Sequence, residues 1–219
     1  MLNRKAAVVV ACTGVLVACQ HAETAAAPAN IANIAGVKST FGPQYQVTEV
    51  GPTGIDPRLL APAAIPDGVT FQPPECAKFA ADQVLPPGLK GNMAATTAEG
   101  DGNRFIAMAV ETSEPVRFDE PGPRCQKVGF DGGPMRGLVE VVESPRIDGV
   151  RTLGTHRVLQ TTAGGQARTG ELYNYVASFD TFLVIVTANP LVLPDKPVAP
   201  VNTQKARDLL TAAVAAVKG

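Results

Sequence analysis

A chain of 219 residues is long enough for one domain with a hydrophobic core that needs no help from metal. Its 19 basic and 20 acidic residues leave a formal charge of −1 and form no basic block, so neither nucleic acid nor polybasic membrane binding has a footprint.

The N-terminus reads as an address, not as fold. Arg4 and Lys5 precede an apolar run, Ala6 to Val17, and no acidic residue stands before Cys19. A membrane-spanning helix takes ~20 apolar residues at ~1.5 Å of rise each. This run is too short for that and has the length of a signal-peptide core. It ends in Leu16-Val17-Ala18-Cys19, which resembles the lipobox of bacterial lipoproteins. The resemblance implies that residues 1–18 are removed and that the Cys19 sulfur carries diacylglycerol. Stable anchoring takes two acyl chains, at about 0.8 kcal/mol per buried CH₂, and diacylglycerol supplies both. The alternative is a secreted chain cut near Ala25 to Ala27, with Cys19 discarded. Losing Arg4 and Lys5 leaves 17 basic against 20 acidic residues, a formal charge of −3.

Residues 19–38 read as the lipidated cysteine and a flexible tether of Ala, Pro, Asn and small polar residues, with a random-coil reach of roughly 20–25 Å. A single extracytoplasmic domain is expected over residues 39–219. Tyr45 to Val50 is a first strand, stopped by Gly51-Pro52. Asp56-Pro57 reads as a helix start limited to one turn by Pro62. Pro73-Pro74 opens a longer helix, with Cys76, Phe79, Ala80 and Val84 on one face and Pro86-Pro87-Gly88 ending it.

Strands dominate from Met93 to Ala188. Met93 to Thr97 and Arg104 to Glu111 flank Gly100-Asp101-Gly102-Asn103, a hairpin signal. Both faces of the second are apolar, as in a central strand. Glu114 to Pro134, rich in Pro and Gly, reads as a loop. Leu138 to Glu143, Thr155 to Thr162, Glu171 to Phe179 and Phe182 to Ala188 are four more strands, with turns at Gly164-Gly165 and Asp180-Thr181. Short connections make neighbours antiparallel. Asn202 caps the clearest helix, whose Ala206, Leu209, Leu210, Ala213, Val214 and Val217 form one stripe. Packing of that stripe on the sheet is expected over an amphipathic membrane helix, because the polar face is only mildly basic and carries no aromatic anchor. The expected class is α+β: an antiparallel sheet of about five to seven strands, packed by a C-terminal helix and a shorter Cys-bearing helix.

With Cys19 lipidated, Cys76 and Cys125 remain as one pair in an oxidising compartment. A bridge between them closes a loop of about 50 residues, and two separate buried thiols are the alternative. Neither has a CxxC partner or a neighbouring histidine for zinc. His156 is the domain's one histidine, since His21 lies in the tether, and a lone histidine among β-formers is more often structural than a base. No nucleophile or metalloprotease motif occurs. No catalytic residue, metal or cofactor is therefore expected. Glu140 and Glu143 sit at odd spacing and point to opposite faces. Gly129, Gly132, Gly133 and Gly137 open no helix after a strand, which argues against a phosphate-binding loop and for a turn-rich one. Tyr173 and Tyr175 share one face with Phe179; they are either half-buried packing under a helix or the wall of a ligand groove.

The lipobox, the tether, Pro73-Pro74-Glu75-Cys76 opening a helix, Cys125 and a strand run closing in a helix together resemble mycobacterial and related actinobacterial lipoproteins whose globular part is a domain of unknown function. Over Tyr45 to Lys218 the chain is also distantly similar to the extracellular sensor domain of the mycobacterial serine/threonine kinase PknH, which carries more cysteines. The expectation is a membrane-anchored binding or sensor-like domain with a lipid, glycan or envelope-protein partner. Its groove is expected on the sheet side opposite the C-terminal helix. The alternative is an interaction protein with an exposed apolar patch.

Overall fold

The computed structural model describes residues 27–55, 68–81, 89–118, 120–133, 135–163 and 166–219. The lipobox and Cys19, the Asp56-Pro57 turn, Val84 with Pro86-Pro87-Gly88, and Gly164-Gly165 lie outside them.

In chain order the elements are η1 (Ile31–Thr40), β1 (Gln46–Gly54), β2 (Thr70–Gln72), η2 (Pro74–Cys76), α1 (Ala77–Ala81), β3 (Gly91–Gly100) and β4 (Asn103–Thr112). Then come η3 (Pro123–Cys125), β5 (Lys127–Asp131), β6 (Met135–Val142), β7 (Arg151–Ala163), β8 (Gln166–Phe179), β9 (Phe182–Pro190) and α2 (Thr203–Lys218). All nine strands join one sheet in the order β1-β3-β4-β9-β8-β7-β6-β5-β2, every pair antiparallel.

The α+β class holds, but the strand count exceeds the five to seven expected. Residues 114–134 are not all loop. Lys127–Asp131 pairs with β6 on one side and with the three-residue β2 on the other. Gly129 and Gly137 accordingly stand within strands.

The tether reading of residues 31–38 is also corrected. Ile31, Ile34 and Val37 of η1 are buried in the main core, because a 3₁₀ helix of three residues per turn stacks every third side chain on one face. The Thr96 hydroxyl donates to Ile34 O at 3.2 Å and ties η1 to β3.

Hairpin geometry follows the turn residues. Asp101 and Gly102 take φ 49° and 73° between β3 and β4, the two left-handed positions that match strand twist. Asp180 takes φ 47° between β8 and β9. At α2, Asn202 Oδ1 accepts from Lys205 N at 2.9 Å, while Asn202 N donates to Asn103 Oδ1 at 2.7 Å. The helix start is thereby pinned to the β3–β4 turn. All six residues of the expected stripe are buried. The chain enters at the opposite pole: Asn30 N donates to Val217 O at 2.8 Å, Ala27 lies against Gly219, and Lys218 Nζ donates to Asp148 O in the β6–β7 connection.

Two layers pack on opposite faces of the two halves of the sheet. On the α2 face, η1 and α2 cover β3, β4, β9 and the near part of β8, burying Phe105, Val184, Val186 and Tyr175. On the reverse face of that half, Met93, Met108, Leu183 and Ile185 are buried with Val116, Ile55, Leu89 and Phe118. Farther along the reverse face, Cys76 and Ala80 pack on Val128, Phe130 and Val139. Arg157 reaches this layer and donates to Ala80 O at 2.9 Å, which closes the last turn of α1.

The Cys-bearing helix is expected and found, as η2 followed by α1. Cys76 is bonded to Cys125, with Cα atoms 5.5 Å apart and a sequence separation of 49. The bridge staples the small layer to the segment that leads into β5.

Candidate ligand-binding face

On the α2 face, no described element lies over the second half of the sheet. A depression of about 630 Å³ opens there across β2, β5, β6, β7 and the start of β8. Strand register sets its pattern, because paired residues on one face form rows across a sheet.

Three rows run perpendicular to the strands. In the first, Lys127 pairs with Glu140, Glu140 with His156, and His156 with Tyr173. Two residues farther from the entry pole lie Gly129, Leu138, Val158 and Glu171. The outermost row is Asp131, Arg136, Gln160 and Thr169. The depression is lined by Gly129, Leu138 and Val158 of the middle row, by the outer row, and by Thr70 and Gln72 of β2; the inner row borders it, and Glu171 ends the middle row at β8.

The polar groups hold one another. Arg136 Nε donates to Gln160 Oε1 at 2.6 Å across β6 and β7. Lys127 Nζ stands 3.9 Å from Glu140 Oε1. The His156 ring stacks on Tyr173 with centroids 4.1 Å apart and planes 9° from parallel. Its Nε2 is 3.2 Å from Glu171 Oε2, so the Nε2–H tautomer donates to that carboxylate. Burial, then the charges of Glu171 and Glu140, raise the Tyr173 pKa above its ordinary value and keep the phenol neutral as a donor. His156 is therefore a structural member of the face, positioned by stacking and by a carboxylate.

Tyr173 and Tyr175 do share a face, but they do different things. Tyr173 is half-buried in the inner row. Tyr175 is completely buried beneath α2, its ring over the bare backbone of Gly154, so it is corrected from groove wall to core residue. Its hydroxyl makes no hydrogen bond of good geometry. Burial raises its pKa, and Arg207 partly offsets the rise.

The position of the depression corrects the expectation too. The side opposite α2 is filled by Val116, Phe118, Ile55 and Leu89, whereas the open surface lies on the α2 side, beyond the strip the helix covers. Arg136, Gln160 and Asp131 carry no signal in sequence, because β6 and β7 place polar and apolar residues on both faces, with no clean alternation to follow. In sequence the nearest carboxylate to Glu140 is Glu143, just past the end of β6. Register sets Glu140 beside His156, 16 residues away.

The family model described as "Domain of unknown function (DUF5642)" matches residues 30–218. The crystal structure of an uncharacterized protein of Mycobacterium smegmatis, described as the Rv0999 ortholog, is similar with a TM-score of 0.83 and 65% identity, covering 87% of this chain and 98% of that one. The extracellular domain of PknH from Mycobacterium tuberculosis aligns over 86% of this chain and 93% of its own, at 11% identity and a TM-score of 0.32. No curated protein matches the chain.

Proposed function

We infer that this chain, which belongs to the DUF5642 family, is a non-catalytic, extracytoplasmic binding module held at the membrane by a lipid on Cys19. The observation that carries this reading is the uncovered sheet face over β2, β5, β6, β7 and β8. The half-buried Leu138 and Val158 line a depression on this face, between polar residues of the neighbouring rows, and that is the surface offered to a ligand. The Cys76–Cys125 bridge supports an oxidising compartment outside the cytoplasm. Leu16-Val17-Ala18-Cys19 supports the lipid anchor.

The test is native mass spectrometry of the chain extracted in mild detergent from an actinobacterial host. Two modifications are expected: diacylglycerol on Cys19, and a second mass that organic solvent or competing ligand removes. A processed chain without either refutes the corresponding half of the reading.

A protein-interaction role is the second reading. The β9–α2 connection exposes Val192 (80%), Leu193 (40%) and Val198 (55%) among Pro190, Pro194, Pro197 and Pro200. Such side chains fit a partner protein of the envelope. In vivo crosslinking from a photoreactive residue at position 192 gives a discrete adduct under this reading and none under the first.

A further inference from the structure

We propose, resting on the open face as the binding surface, that its ligand is a linear, uncharged glycan lying across the strands along Gly129, Leu138 and Val158. The shape of the face comes first. Strands ~4.8 Å apart give the rows a run of ~19 Å from β2 to β8, and each row stands ~6.7 Å from the next. That is a shallow trough, longer than broad and open at its top. An alkyl chain gains little there, since its upper side stays in water. A chain of sugar rings gains more, because each ring lays an apolar C–H face on Leu138 and Val158 and turns its hydroxyls sideways to the banks.

The banks have the matching chemistry. Gln160, Arg136 and Asp131 line the trough on one side, and Glu140, His156 and Tyr173 stand in the bordering row on the other; together they present planar amide, guanidinium, carboxylate and ring groups that donate to and accept from hydroxyls. The charges interleave. Lys127 and Arg136 stand against Asp131, Glu140 and Glu171 within the three rows, a net of −1. A phosphate or uronate chain meets more carboxylates than cations here, and a cation meets Arg136 and Lys127. The balance selects an uncharged ligand.

Gly129 points the same way. Its backbone takes no left-handed conformation, and a Cβ there would have only Gln72 O within 4 Å, at 3.9 Å. Neither strain nor packing inside the protein accounts for a glycine in this strand. What its missing side chain leaves is open floor in the middle of the trough.

The test measures binding of the full-length chain to immobilised linear hexasaccharides of glucose, mannose, galactose and arabinose, to a hexauronate, and to anionic phospholipid vesicles. Gly129→Val and Gln160→Ala are compared with the unaltered chain, the second because it leaves the floor and the fold untouched. At least one neutral hexasaccharide is expected to bind, with affinity falling about tenfold or more in both variants. If only the hexauronate or the vesicles bind, and Gly129→Val weakens that binding, the face is a binding surface but the glycan proposal is overturned. If a neutral hexasaccharide binds equally to both variants, or if no probe binds, the proposal is overturned; in the former case the binding surface also lies elsewhere.

Discussion

Removing the Cys76–Cys125 bridge tests how much of this fold depends on a covalent tie. The two cysteines are 49 residues apart, so the bond closes a loop of about 50 residues in the unfolded chain. Chain entropy makes that closure worth about 14 cal/mol/K, or about 4 kcal/mol at room temperature. Cys76 is 1% exposed and packs on Val128 and Phe130, so Cys76→Ala with Cys125→Ser adds only a small packing loss. Urea unfolding followed by circular dichroism should show a loss of about 4 kcal/mol, a midpoint lower by about 2 M for a slope near 2 kcal/mol/M. The slope itself should rise, because a denatured chain freed of its crosslink exposes more surface. A loss below about 1 kcal/mol with an unchanged slope would falsify the chain-entropy account. It would mean that the ends of this loop already lie together in the denatured state.

Two glycines should respond in opposite ways. A Cβ at Gly154 would sit 2.9 Å from Val142 O and 3.1 Å from the buried Tyr175 ring, so Gly154→Val should cost about 1–3 kcal/mol in thermal denaturation. Gly129→Val, facing open space, should stay within about 0.5 kcal/mol of the parent. Tyr175→Phe removes a buried hydroxyl without a well-formed hydrogen bond and should leave stability unchanged or raise it by up to about 1 kcal/mol; a loss above that would show that Arg207 holds the phenol firmly. Asn202→Ala removes the side-chain cap of α2 and should cost about 1 kcal/mol by urea titration. Burial with a hydrogen bond to Asp101 pushes Tyr45 up to about 12, and burial raises Tyr173 and Tyr175 above 10. In the unfolded chain all three ionise near 10, so the stability they contribute is intact below pH 10 and is lost as pH rises above it, for Tyr45 toward 12. Near-ultraviolet absorbance at pH 10 should show less phenolate in the folded chain than in the unfolded one, and ordinary titration of any one of the three would contradict its burial.

The parts legible in sequence are those with a strong local code. Asp101-Gly102 and Asp180 fix tight turns whose flanking strands pair as read. The C-terminal stripe has a helical period and a cap residue, and every stripe position is buried. The parts that are not legible have a weak code or the wrong period. Ile31, Ile34 and Val37 recur every three residues in a stretch of Ala, Asn and Gly, where an eye tuned to 3.6 sees a tether. The strand at Lys127–Asp131 hides between Pro/Gly-rich segments, and its partner at Thr70–Gln72 is too short to carry any alternation. The candidate face depends on which of the two sheet faces each helix covers in each half. That is a property of tertiary packing, and no single strand records it.

The point where the chain enters the fold has a spatial consequence. Ala27 touches Gly219 beside the last turn of α2, and Asp148 lies at the same pole. From there β7 runs outward, and the nine steps from Arg151 to Gln160 carry the outer bank of the trough ~30 Å away. The Pro-rich connection with Val192 and Val198 lies at that far end as well, since Leu191 N donates to Gly102 O. Both surfaces therefore stand at the end of the sheet remote from Ala27, ~30 Å from the point where the chain enters it.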